Sequence, residues 1–237
     1  MIGGDAAIVL KMTTNAQRFE LIETMRADSQ GQISLLSGHL QRLQASALAL
    51  GFHWPGHVAI EKAIEAAFLH MTTSSGQTRV RLLMNPEGQT QVTTAPLPEL
   101  QPRPLVALAS LTLDSQESLL QHKTTHRPWY ELTTQWLTAN QDFFDLIFLN
   151  KRAELCEGSR SNIYIKKGNY WVTPPLACGL LGGVMRQHLL KTGQVREAIL
   201  TRTDFEQPDV DLRLSNALRG WFDVQRAESL FPGRDFP

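Results

Sequence analysis

"LLQHKTTHRPWYE", residues 119–131, sets Lys123 between a histidine and two threonines, just ahead of Pro128. Proline suits the first turn of a helix, where its missing N–H is not needed. Trp129, Leu132, Trp136 and Leu137 then give that helix an apolar stripe. Upstream, the polar run "LTLDSQESLLQH" (111–122) reads as the seam between two units. The expected division is an N-terminal domain over 1–112, a linker over 113–122 and a C-terminal domain over 123–237. Lys123 opens the second domain. It is either a solvated lysine at a strand end or an amine kept there for chemistry, and the rest of the chain has to separate the two.

Before the seam, "RFELIETMRADSQGQISLL" (18–36) predicts two β runs around the turn "DSQGQ", hence a hairpin. "SGHLQRLQASALALGF" (37–52) spaces Leu40, Leu43, Ala47 and Leu50 as a helix, with Gly51 as its stop. "HVAIEKAIEAAFLHM" (57–71) repeats the pattern through Val58, Ile64, Ala67, Phe68 and Met71. "TRVRLLMNPEGQTQVTTA" (78–95) is a hairpin turned by Pro86 and Gly88. Four prolines from Pro96 to Pro104 mark an irregular crossing before the strand "PLVALAS". This predicts an α/β layer of the α+β type, with helices packed on a mostly antiparallel sheet.

After the seam, the continuous apolar run "DLIFLN" (145–150) predicts a buried strand, and "NIYIKKGNYWVTPP" (162–175) a hairpin with Gly168 in its turn. "GLLGGVMRQHLLKTG" (179–193) is a glycine-rich turn opening a short helix. "VDLRLSNALRG" (210–220) is a strand ending in small polar residues.

Composition narrows the function classes. The chain has 237 residues, enough for one large or two smaller cores, and 42% of them are hydrophobic. Lys plus Arg and Asp plus Glu number 23 each, so no net field points to nucleic acid or membrane. Cys156 and Cys178 are too few for a disulfide framework and fit a reducing cytoplasm. "MIGGDAAIVLKMTT" lacks a basic n-region, and no stretch approaches the roughly 20 apolar residues of a membrane span. No metal-ligand cluster is expected.

Two stretches carry chemistry. In "LLGGVMRQ" two glycines stand at a helix start, where unpaired N–H groups and the helix dipole favour an anion; glycines there also serve chain geometry alone. In "AELCEGSRSNIYI" Glu157 stands where an apolar strand gives way to a turn. A buried carboxylate needs a permanent partner or goes neutral, and a protonated pyridine nitrogen is such a partner. A solvated loop glutamate is the plainer alternative.

Taken together, "FELIETMR", "HLQRL", "HKTTHR", "EGSRSNIYI" with "VTPP", and "GLLGGVMRQ" resemble the class IV aminotransferases, the fold-type IV enzymes dependent on pyridoxal 5′-phosphate. The resemblance runs from Phe19 to Val224 with the motifs in family order, and is greatest to the 4-amino-4-deoxychorismate lyase branch, including lyase domains fused to aminodeoxychorismate synthase. It implies two domains, an N-terminal α/β sandwich and a C-terminal pseudo-barrel, with the cofactor in the cleft between them. It also implies a homodimer, with functional coupling to a synthase as a further expectation.

The resemblance assigns Lys123 as the amine that condenses with the cofactor aldehyde and later moves protons, since only a primary amine exchanges readily with a substrate amine. It assigns Glu157 to the pyridine nitrogen and Arg42 to the phosphate, although Arg42 falls off the apolar stripe of its helix. Backbone amides of Val184 and Met185 would bind the phosphate from the helix start, with Ser215 and Asn216 opposite. Leu181 would pack on the ring. Met185 stands where many transaminases have a hydroxyl residue, and Arg127 follows Lys123 where branched-chain enzymes have a tyrosine. Arg127 and Arg160 either pair with substrate carboxylates or are surface charges. His122 and His126 read as packing or solvent residues; Thr124 and Thr125 either favour β structure or bond near the cofactor. The implied reaction converts 4-amino-4-deoxychorismate to 4-aminobenzoate and pyruvate, with transamination of D-amino or branched-chain amino acids as the alternative.

Overall fold

The computed structural model describes residues 19–69, 76–227 and 237. The N-terminal "MIGGDAAIVLKMTT" and Met71 lie outside them.

Strand β1 (Leu21–Ala27) turns Leu21, Glu23, Met25 and Ala27 to one face, and Ile22 is buried as well. Helices α1 (Leu36–Ala49) and α2 (His57–Leu69) follow, then β2 (Thr78–Met84) and β3 (Thr90–Pro96). The three strands form an antiparallel sheet in the order β1-β2-β3. Val80, Leu82 and Met84 join the β1 face, and Leu40, Leu43, Ala47, Ile60 and Ile64 from the helices cover it. Each fully buried leucine or isoleucine there contributes roughly 1.5–3 kcal/mol.

Three sequence expectations need correction here. The first hairpin does not form: Asp28 Oδ1 accepts from the amides of Gln30 and Gln32 at 2.9 Å, and only the bridge Ala27↔Ile33 pairs. Leu35, at φ 60°, then swings the chain into α1 before a second strand can develop. In α2 the buried line runs through Ile60 and Ile64, one helical turn apart, so Val58 sits on the flank and is 64% exposed. Leu132 is likewise exposed, while Leu137 is buried.

The second sheet contains β4 (Leu105–Leu113), β5 (Phe143–Asn150), β6 (Leu155–Gly158), β7 (Asn162–Lys167), β8 (Tyr170–Thr173), β9 (Val195–Glu197), β10 (Leu212–Asn216) and β11 (Gly220–Arg226). Its order is β10-β11-β4-β5-β6-β7-β8-β9, and β10 pairs again with β7. That extra pairing closes six strands into a ring. Val106, Ile147, Leu155, Ile163, Leu214 and Val224, one from each ring strand, share a single apolar cluster, as the inside of a closed barrel requires. Leu146 and Phe148 face the other way, into a cluster with Tyr130 and Leu137, the latter from α3 (Glu131–Ala139). Burial on both faces explains the unbroken run in "DLIFLN". Because β4 pairs in parallel with β5 and β11, a division drawn by sheet membership falls in the crossing 97–104, ahead of 113–122.

Two contacts join the sheets where the site lies. Ile22 N donates to Lys123 O and Thr125 N to Glu20 O, both at 2.8 Å, so the lysine segment pairs with the start of β1. A Cβ on Gly38 of α1 would lie 2.9 Å from Val184 Cγ1, at the start of α4 (Val184–Lys191), so the two helices meet closely.

Candidate active site

Between the first sheet and the barrel lies a cavity of about 650 Å³. Lys123 and Glu157 line it, as do Arg42, Arg127, Arg160, Leu181, Val184, Ser215 and Asn216. Every site residue expected from sequence except Met185 therefore meets in one cavity. The Met185 side chain packs instead with Tyr164, Leu189 and Val195.

Burial pushes the Lys123 amine down to about 7, reinforced by the charges of Arg127 and Arg42 and opposed by Glu23 and Glu157. A lysine near 7 is neutral often enough at physiological pH to act as a nucleophile and a base. Its neighbours do not share this role. His122 Nδ1 bonds Ser46 Oγ at 2.9 Å, and His126 sits between the rings of Phe19 and Trp129. Thr124 Oγ1 donates to His126 O at 2.8 Å, and Thr125 Oγ1 accepts from Glu20 N at 2.9 Å. Both threonines thus anchor the backbone around the lysine.

Glu157 ends β6 and is 5% exposed. Its Oε1 accepts from Tyr130 Oη at 2.8 Å and Leu181 N at 3.0 Å, and its Oε2 from Asn162 Nδ2 at 3.3 Å. All three donors are neutral. Burial outweighs them and pushes the carboxyl up to about 7. The charges of Arg127 and Lys123 oppose that rise without cancelling it; the Arg127 guanidinium lies over the Tyr130 ring at 4.5 Å, and its Nη2 donates to Ser159 O.

Arg42 grips Glu23 with both Nε and Nη2, and His39 Nδ1 bonds the same carboxylate at 2.6 Å. Burial alone would raise Glu23, but the Arg42 charge and His39 overcome it and hold the carboxyl at about 2. Glu23 was invisible in the sequence as a site residue, because one glutamate in a strand carries no motif. It converts Arg42, whose side chain is 10% exposed, from a flank residue of α1 into a fixed cation on the cavity wall.

The start of α4 is bare. Gly183 caps it with no side-chain bond, and a Cβ on Gly183 would fall 2.1 Å from Asn162 Oδ1. Glycine is required there, and the first amides of the helix stay available to an anion. Opposite, the hydroxyls of Ser215 and Tyr164 bond at 2.7 Å. Asn216 Nδ2 donates to Arg160 O at 3.0 Å, and its Oδ1 accepts from Arg219 N at 2.8 Å, so this side chain ties two loops together.

Asp145 was also missed. It is fully buried and accepts from Ser159 N and Oγ at 2.8 and 2.7 Å, Arg160 N at 3.0 Å and Ser161 Oγ at 2.7 Å. A Cβ on Gly158 would lie 2.2 Å from Asp145 Oδ2, which is why the loop begins with glycine. The available signal was a carboxylate inside an apolar strand followed by "GSRS". Arg160, carried by that loop, donates from Nε to Phe144 O at 2.7 Å and lies over the Phe144 ring.

The family model for class IV amino-transferases matches residues 20–227. The chain belongs to the class IV aminotransferase family. Enzymes of this family depend on pyridoxal 5′-phosphate. A Schizosaccharomyces pombe protein named "Putative aminodeoxychorismate lyase" is 32% identical over 184 residues, 75% of either chain. Among solved structures, a "Putative amino-acid aminotransferase" from Mesorhizobium loti is 32% identical, with a TM-score of 0.79 over 88% of this chain and 99% of that one. A hypothetical aminotransferase from Mycobacterium tuberculosis in its PLP-bound form shares the fold at 22% identity, with a TM-score of 0.72 over 92% of this chain and 83% of that one. This class IV chain thus joins a three-stranded α/β unit to a barrel-like sheet. Among its described residues no helix is long and apolar enough to cross a membrane.

Proposed function

We propose that the cavity holds pyridoxal 5′-phosphate and converts 4-amino-4-deoxychorismate to 4-aminobenzoate and pyruvate. The observation that carries the reading is one cavity holding an amine brought to about 7 and a buried carboxyl bonded only by neutral donors. The donor set fits the group. Lys123 would take the aldehyde and Glu157 the protonated ring nitrogen. Arg42, the amides of Val184 and Met185, and Ser215 with Asn216 would surround the phosphate. Leu181 would pack on the ring. When bound, the cofactor supplies an aldehyde that condenses with amines and a ring that stores an electron pair.

The rest is work for this chain's own groups. Neutral Lys123 takes the proton from the substrate carbon bearing nitrogen, and the enolpyruvyl group leaves from the neighbouring carbon as the ring becomes aromatic. Protonated Lys123 is the simplest donor to the departing group. Glu157 stays ionised by pairing with a cation, and Tyr130 holds it in place. Arg127 and Arg160, at the cavity wall, meet substrate carboxylates.

A second reading, transamination of D-amino or branched-chain amino acids, uses the same cofactor residues; the Mesorhizobium loti structure, named for an amino-acid aminotransferase, supports transamination in general by matching along 99% of its length. We also read the enzyme as a cytoplasmic homodimer of two-domain protomers, coupled functionally to an aminodeoxychorismate synthase, on family resemblance. The test is incubation with aminodeoxychorismate alone in one tube and with amino donors and 2-oxo acids in another. Lyase chemistry gives 4-aminobenzoate and pyruvate in equal amounts without a 2-oxo acid. Turnover only when a 2-oxo acid is supplied replaces it with the second reading.

A further inference from the structure

Glu157 offers its two oxygens unequally. Oε1 accepts from Tyr130 Oη at 2.8 Å and Leu181 N at 3.0 Å, and these donors fill its two lone pairs. Oε2 receives a 3.3 Å contact from Asn162 Nδ2, an amide that also donates to Leu181 O at 2.9 Å. Glu157 lines the cavity, so Oε2 is the oxygen left for a cation there.

Tyr130 stands behind this carboxyl. It ends the short turn Pro128–Tyr130 and is 2% exposed. Phe148 meets its ring edge to face at 5.1 Å, and Thr134 Oγ1 donates to its carbonyl at 2.8 Å, so ring and backbone are both held. The Arg127 guanidinium lies over the ring at 4.5 Å. A cation on that face is attracted by the ring and draws density from it, which makes the hydroxyl a better donor. Burial and the Glu157 charge push the hydroxyl well above its ordinary range, so it stays protonated. Phenylalanine would fill the same space with no polar atom to satisfy, so packing alone does not call for the hydroxyl.

The other groups facing Glu157 are Lys123, Arg127 and, on its own strand, Cys156. Arg127 and Lys123 favour the charged carboxylate as Tyr130 does, while burial pushes the Cys156 thiol up and keeps it neutral.

We propose that Tyr130 is a positioning residue: its hydroxyl, backed by Arg127, occupies Oε1 so that Glu157 presents Oε2 as a charged carboxylate and the shared proton stays on the ring nitrogen of the cofactor. This rests on the reading that Glu157 meets that nitrogen. Without the hydroxyl, Glu157 holds a proton more firmly, and the proton moves from the ring to Oε2. The ring then loses capacity to take up charge.

Two measurements on Tyr130→Phe test this, and neither is turnover. In melts of the cofactor-free protein, stability falls from pH 4.5 upward until the folded carboxyl ionises. Losing a donor that lowers the Glu157 pKa should carry that fall about one pH unit or more higher than in the wild type, as expected for one hydrogen bond to a charged group. In the protein loaded with cofactor labelled with nitrogen-15 in its ring, the resonance at pH 8 should move from the pyridinium position toward that of neutral pyridine. Incorporating 3-fluorotyrosine at position 130 keeps the shape and strengthens the donor. It should end the fall in stability at lower pH than in the wild type and leave the ring nitrogen protonated.

A Tyr130→Phe profile that ends at the wild-type pH, or a ring resonance unmoved by loss of the hydroxyl, overturns the proposal. A fluorotyrosine protein that follows Tyr130→Phe overturns it too, because shape rather than donation would then set the site. Should Tyr130→Phe fail to fold, the fluorotyrosine protein decides alone, by the direction in which its profile moves. A shifted resonance without pyruvate release keeps the role of Tyr130 and removes the lyase reading, and pyruvate release with an unmoved resonance does the reverse.

Discussion

Glu157→Gln should stabilise the cofactor-free protein at neutral pH while crippling the enzyme. Burial raises the folded-state pKa of Glu157 from an ordinary 4.5 to about 7. Below pH 4.5 the carboxyl is protonated in both folded and unfolded chains and nothing is lost. As pH rises from 4.5 to 7, the unfolded chain releases the proton while the folded one retains it, so folding stability falls; above 7 the loss is constant. At 1.36 kcal/mol per pH unit the full loss is about 3 kcal/mol. Glutamine carries no such penalty. Its oxygen still accepts from Tyr130 and Leu181, and only the 3.3 Å bond from Asn162 is replaced by a donor facing a donor. For a chain of this size, 3 kcal/mol is roughly 6–12 °C in melting temperature. Thermal melts of cofactor-free variant and wild type between pH 4.5 and 8.5 should therefore diverge up to pH 7 and run parallel above it. Loading the cofactor should abolish the advantage, and turnover should fall by at least about a hundredfold, roughly 3 kcal/mol of barrier. A variant that is less stable at pH 8, or a difference flat across pH, would refute the account of Glu157 as a buried charge held for a cation.

Arg42→Met removes the guanidinium that grips Glu23, which is 2% exposed, and leaves it only the His39 hydrogen bond; this should destabilise the protein by about 3–5 kcal/mol in urea titrations. Because the folded Glu23 is held at about 2, its contribution is complete above pH 4.5 and fades as pH falls toward 2, so acid unfolding of the variant should begin at higher pH than in the wild type. Asp145→Asn places an amide donor against the hydroxyls and amides of the 159–161 loop; we expect a loss of about 2–4 kcal/mol by denaturant titration and a KM that rises more than cofactor affinity falls.

Much of the fold was legible because it rests on short-range patterns. The hairpins β2–β3 and β7–β8 follow from alternation around Gly88 and Gly168, whose φ values of 81° and 59° no β-branched residue would accept. The false hairpin after β1 had the same local signal, and it lost to Leu35, a left-handed leucine that no local rule anticipates. At the site, Lys123 and Glu157 stood out because motifs flank them. Glu23 and Asp145 did not, since a carboxylate in a strand becomes informative only once its partners, 16 and 14 residues away, fold against it. Arg42 shows the same limit. A helix wheel counts one partner surface, whereas the flank of α1 meets β1 and the cavity together.

The most direct test of the central claim is borohydride reduction of the cofactor-loaded protein followed by peptide mapping. The account predicts the cofactor mass on the peptide containing Lys123, with an amine whose reactivity rises through pH 7. Cofactor mass on another lysine, or none on any peptide after loading, would contradict it.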